Sequence, residues 1–160
     1  MRIELSAIRE DGLYTLVTFT CAAGRGVARW TSVRPVPAVG TSLSVELELD
    51  REPDVDEERE SRVAAAPPSL EVTDGGVLLT ALVERVEEDG VALLRLSSDA
   101  ILLVETAFGW AANDTVRLEL DFGALALTPL GLCPGRETDR ATLTAVSGHP
   151  SVQAHSRGGS

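Results

Sequence analysis

Strict apolar–polar alternation, seen twice along this chain, restricts most of it to β-structure. In Leu43-Ser44-Val45-Glu46-Leu47-Glu48-Leu49, and again in Val116-Arg117-Leu118-Glu119-Leu120-Asp121-Phe122, every second residue is apolar. A period of two gives a strand one apolar and one polar face, whereas a helix needs a period near 3.6. Upstream of each run stands the same tripeptide between apolar segments, Glu10-Asp11-Gly12 and Glu88-Asp89-Gly90. Asp-Gly is a hairpin signal, because both central residues of a type I′ turn need positive φ. Asp11-Gly12 and Asp89-Gly90 are therefore read as two-residue turns.

Around these turns the sequence predicts strands over 2–10, 13–20, 27–32 and 42–49, then 77–87, 91–97, 100–106 and 115–122. Past Phe122 the parity reverses, with Leu125 and Leu127 apolar. A Gly123-Ala124 hairpin explains the reversal, since it sets Phe122 against Leu125 and Leu120 against Leu127 on one face. Pro129 ends that strand. The segment 50–62 carries seven acids and little apolar surface, which predicts a mobile linker or loop, with a short helix over 55–65 as the alternative. Residues 134–160 lack periodicity and read as a weakly ordered tail.

The two halves share more than turn residues. At an offset of 78, Leu5 and Ile8 correspond to Val83 and Val86. Both pairs are three apart where period two is expected, and a β-bulge before each hairpin would reconcile them. The fold class that follows is all-β, as two small OB-like β-barrel units or as one β-sandwich. The likeness to the OB type lies in the strand order of the second half, and no motif accompanies it. The halves are either a duplication or two β-rich units with common hairpin chemistry. The expected division is a first β-unit over 1–49, an acidic Pro/Ala-containing linker or loop over 50–76, a second β-unit over 77–132 and a tail over 133–160. A fifth strand for the first unit would have to come from Ser69–Thr73.

Charge and composition remove several functions. The net charge is −11, and every base is arginine, since lysine is absent. Schiff-base lysine chemistry is thereby excluded. Nucleic acid is not an expected partner, because its binders need a basic stripe that releases counterions. Cys21 and Cys133 read as reduced thiols. His149 and His155, the two histidines, fall in the tail, so no Ser-His-Asp or Cys-His arrangement is available in the β-units. The acids between 50 and 60 lack the EF-hand spacing, so no metal or other cofactor is expected. No apolar run is long enough to span a membrane, and Met1-Arg2-Ile3-Glu4-Leu5 does not resemble a signal peptide. A cytoplasmic, non-enzymatic protein is the expectation.

Three residues stand out as binding candidates: Arg29, Trp30 and Trp110. Aromatics make up only 4% of the chain, so two tryptophans beside turns are conspicuous, and tryptophan and arginine are favoured at interface hot spots. Trp30 is also in phase with Ala28, which fits core packing. The sequence thus points to an acidic β-protein that binds a basic protein partner, for example as an immunity-like inhibitor of a basic effector. A small-molecule or glycan barrel stacking its ligand on an exposed tryptophan is the alternative. Exposed β-edges leave homodimerisation open.

Overall fold

The computed structural model describes residues 1–50, 60–105 and 109–130. The described residues form strands and no helix. The strands are β1 (Arg2–Asp11), β2 (Tyr14–Cys21), β3 (Gly24–Trp30), β4 (Ser42–Leu49), β5 (Glu60–Val63), β6 (Ser69–Val72), β7 (Val77–Val86), β8 (Val91–Ser97), β9 (Ala100–Glu105), β10 (Thr115–Leu120) and β11 (Leu125–Pro129). The all-β expectation holds, and its centre is a closed five-stranded barrel.

That barrel is assembled from both ends of the described chain. β1, β2 and β3 form an antiparallel meander, and β4 returns to pair with β1 over Arg2–Glu4. The fifth strand is β11, which runs antiparallel to β4 and parallel to β3, with Ala126 opposite Arg29 and Leu127 opposite Trp30. It is not Ser69–Thr73. Strand β6 instead touches the barrel at one point, where Gly24 pairs with Leu70 and the Leu70 N–H donates to the Ala23 carbonyl at 2.8 Å.

The expected hairpin between Leu120 and Leu127 does not form. A turn is present, with Gly123 at φ 90° and the Ala124 N–H donating to Asp121 O at 3.1 Å. Its two flanking strands part company, however: Leu120 pairs with Val77, and Leu127 pairs with Leu47 and Trp30. Parity fixes which face a side chain takes but not which strand lies beside it. The chain leaves the barrel at Asp50 and re-enters at Ala124, and the Asp50 N–H donates to the Ala124 carbonyl at 2.9 Å. Everything between is an insertion between the fourth and fifth barrel strands.

Within the insertion, β7 carries β10 on one edge and β6 followed by β8 on the other, with β9 beyond β8 and β5 beyond β10. Two of these strands, β5 and β6, lie inside the segment expected to be linker, and no helix forms over its described residues. A short polar strand needs little apolar surface once its backbone groups are paired in a ladder. Residues 51–59 of the expected linker, and the expected tail from 131 on, lie outside the described residues.

Two register features recur between β1–β4 and β7–β10, which also follow the same order. β1 shifts register between Leu5 and Ala7, and β7 shifts between Val83 and Arg85, 78 residues later. Both bulges sit where the three-residue spacing requires them. The return strands also agree: Ile3 opposite Leu43 becomes Ala81 opposite Val116. Alternation predicted the burial well. Val45 and Leu47 of β4, and Val116, Leu118 and Leu120 of β10, are buried, while Glu46, Glu48, Arg117 and Glu119 face solvent.

Candidate functional site

The two hairpins use the same tripeptide differently. In the first, Asp11 pairs with Tyr14, so the turn residues are Gly12 and Leu13 rather than Asp11 and Gly12. Gly12 has φ 61° and Leu13 is not in the left-handed region. A positive φ at the first central position alone is the II′ pattern, not I′. In the second, the Glu87 N–H donates to Val91 O at 2.8 Å and the Gly90 N–H to Glu87 O at 3.1 Å, with Gly90 at φ 88°. That is a three-residue loop closed by a left-handed glycine.

The first hairpin also reaches further. Past its bulge it pairs from Ala7–Thr18 to Asp11–Tyr14, whereas β7–β8 pairs only Arg85–Leu93 and Val86–Ala92. The protruding ribbon forms one wall of a groove of about 610 Å³. The other wall is the loop after β3, held by its own polar groups. Trp30 Nε1 donates to the Arg34 carbonyl at 2.9 Å, and the Arg34 N–H donates to Ser32 Oγ at 3.1 Å. This geometry turns Val33 fully outward, at 103% of its reference exposure. Leu13 at the hairpin tip is 94% exposed, and Ile8 and Tyr14 are partly exposed. Among the described residues, four of the nine exposed large hydrophobics therefore line this one groove. An apolar cluster of this kind marks an interaction site more reliably than scattered single residues.

Arg29 stands on the groove wall. Its guanidinium pairs with the Asp50 carboxylate and lies 5.6 Å from the centre of the Tyr14 ring. Asp50 is the residue at which the chain leaves the barrel, so one side chain links the groove to the neck of the insertion. Opposite, Glu10 accepts a hydrogen bond from Thr15 Oγ1 at 3.0 Å.

The three residues singled out from sequence do not gather in one place. Arg29 and Trp30 line the groove, but Trp110 does not. Neither tryptophan is exposed: Trp30 retains 8% and Trp110 6% of its surface. Trp30 closes the apolar interior beneath the 31–36 loop and supplies that loop with a donor. Trp110 enters the same continuous core from a loop whose Ala111 N–H donates to Asp114 Oδ2 at 2.8 Å, and Asp114 is itself 3.2 Å from Arg62. An exposed-tryptophan platform is thus absent among the described residues. The exposed aromatic in the groove is Tyr14. The sequence did carry a signal for Leu13 and Val33, since each is an apolar residue set among turn formers, but only the fold shows that they line one groove.

Among the described residues, two titratable groups outside the groove are shifted. Asp99 Oδ1 accepts from Ser97 Oγ at 2.7 Å and Oδ2 from the Arg2 N–H at 3.0 Å, and these bonds lower its pKa below the usual carboxylate range. A lowered folded-state pKa contributes stability above the unfolded value that is lost as pH falls through the folded one. Asp99→Asn should therefore flatten the acid limb of a stability-versus-pH curve slightly, as read by urea titrations at pH 3 to 6. A steeper limb in the variant would contradict this. Burial pushes the Cys21 thiol up, which makes it a weak nucleophile at neutral pH. Cys133, His149 and His155 lie outside the described residues. Among the described residues, no group of three or more His, Cys, Asp or Glu side chains could hold a metal ion. No helix there is long and apolar enough to cross a membrane.

Compared with known proteins, the chain matches no family model, no curated protein and no solved structure.

Proposed function

We propose that this chain is a non-catalytic binding protein that takes a basic protein partner through the groove between the β1–β2 hairpin and the 31–36 loop. The observation that carries this reading is the concentration of Ile8, Leu13, Tyr14 and Val33 along one groove. The groove is open to solvent rather than enclosed, which suits a polypeptide segment better than an enclosed small ligand. The net charge of −11 supports a basic partner, since complementary fields raise the encounter rate and reject like-charged competitors. An inhibitor of a basic effector, acting as immunity proteins do, is the concrete form of the proposal. We also read the barrel as OB-type, its strands in the ring order 1-2-3-5-4 with the third and fifth parallel, and the insertion as a duplicate of the same unit. The small-molecule or glycan-binding alternative would have to stack its ligand on Tyr14, since both tryptophans are buried.

A peptide-display selection on the full chain tests the reading. Enriched peptides should combine apolar residues with Arg or Lys, and should bind less tightly as salt rises. Val33→Asp should weaken their binding at least ~10-fold, because a charge is set against an apolar contact, while changing stability by no more than ~0.5 kcal/mol at so exposed a site. Peptides that are acidic, or that bind Val33→Asp as well as the parent, would overturn the proposal.

A further inference from the structure

We infer that the partner segment binds the groove as an added β-strand along the free edge of β1, with an apolar residue beside Ile8 and a basic residue beside Glu10. The inference rests on the groove reading above and goes beyond it, because it specifies backbone pairing as the mode of recognition.

The backbone of β1 carries the argument. At its start, the odd-numbered residues face β4 and the residues just before it: Met1 and Val45 exchange two bonds of 2.8 Å, and Leu5 exchanges bonds with Gly40 and Thr41 at 2.7 and 3.0 Å. Beyond that point β4 no longer accompanies β1, since their ladder covers only Arg2–Glu4. The bulge between Leu5 and Ala7 inserts one extra residue and reverses the parity. Asp11, which closes the two-residue turn against Tyr14, must direct its N–H and C=O to β2, and Arg9 and Ala7 do the same. The backbone groups of Ile8 and Glu10 are therefore directed away from β2, along an edge where no described strand lies. All residues from Ser6 to Tyr14 are exposed.

These same two residues, Ile8 and Glu10, line the groove. A strand laid on this edge would place its alternate side chains over the groove while its backbone fills the edge, which is how β-augmentation divides affinity from specificity. Ile8 offers an apolar neighbour, and Glu10 offers a carboxylate already oriented by Thr15. Cross-strand neighbours of opposite charge are favoured and like charges disfavoured. The matching segment accordingly reads apolar, any residue, then Arg or Lys. Its basic residue is matched to Glu10, the one acid among the residues that line the groove, where Arg29 is already paired with Asp50.

The probe is the peptide acetyl-Thr-Val-Thr-Arg-Thr-Val-amide, titrated into the full chain and followed by amide NMR and hydrogen exchange. Its control is the same peptide with N-methyl groups on alternate residues of the pairing edge. Amide exchange at Ile8 and Glu10 should slow at least ~10-fold at saturation, and the N-methylated peptide should bind at least ~10-fold more weakly. Glu10→Gln should weaken the parent peptide several-fold at low salt and little at high salt.

Peptide-induced shifts at Leu13 and Val33 with unchanged exchange at Ile8 and Glu10, or equal binding of the N-methylated control, would overturn strand addition yet leave the groove reading standing. No binding at about millimolar peptide, or shifts confined to other strands, would overturn strand addition also. The display selection decides the groove reading separately. Concentration-dependent protection of Ile8 and Glu10 without peptide would assign the edge to a second copy of this chain and likewise overturn the proposal.

Discussion

Gly24→Ala is expected to lower the unfolding free energy by about 3 kcal/mol, a large part of the stability of a typical small domain. Gly24 has φ 129°, a conformation that L side chains rarely adopt, and an added Cβ would lie 2.3 Å from the Leu70 carbonyl oxygen. That oxygen belongs to the backbone of β6 at the one point where β6 pairs with the barrel. Relief would require the insertion to move away from β3, with loss of the bond from the Leu70 N–H to Ala23 O. Gly40→Ala is the matched control. Its φ of 86° is also positive, but no atom lies within 4 Å of the added Cβ. It should cost about 1 kcal/mol from backbone strain alone. Urea denaturation of both variants gives the comparison, and equal costs would show that the β3–β6 junction does not constrain Gly24.

The second large effect is expected at Leu127, which is fully buried in β11. Leu127→Ala should cost about 2–5 kcal/mol, the range for emptying a packed leucine site. The location of the damage matters more than its size. Leu127 pairs with Leu47 and with Trp30, both strands of the barrel. Amide exchange should therefore accelerate first in β3, β4 and the 31–36 loop, where the Thr31 N–H donates to Leu127 O at 3.1 Å. A hairpin between β10 and β11 would instead expose β10 and β7 first. Exchange that accelerates there, with β3 and β4 protected, would contradict the strand assignment. Because the loop after β3 forms a wall of the groove, the same variant should also weaken peptide binding.

Much of the local structure was legible from residue type and spacing. The bulges are an instructive case, because two departures from period two, at Leu5–Ile8 and Val83–Val86, located register shifts that were then found between Leu5 and Ala7 and between Val83 and Arg85. The turns were placed less well. Glu-Asp-Gly occurs twice, but Gly12 opens a two-residue loop and Gly90 closes a three-residue one. A glycine reports that positive φ is needed nearby, not which loop position needs it. The short strand β5 was missed for a related reason, and β6 was foreseen only as a fifth strand of the first barrel. Their ladders come from β10 and β7, so nothing in Glu60–Val63 itself signals a strand.

The candidate site was only half legible. Arg29 and Trp30 were found through the rarity of aromatic residues, yet the indole turned out to support the 31–36 loop from inside. Leu13 and Val33, the most exposed apolar residues of the groove, drew no notice, because isolated apolar residues in loops are common on protein surfaces.

By itself, the sequence determined that this chain is all-β, where its apolar faces lie, where two strands bulge and how acidic the surface is. Each of these depends on nearest neighbours along the chain. Only the tertiary structure decided that β11 closes the first barrel, that residues between Asp50 and Ala124 form an insertion, and that Leu13 and Val33 share a groove. Those facts depend on which edge pairs with which, and a buried strand with alternating residues satisfies its pattern equally well beside several neighbours.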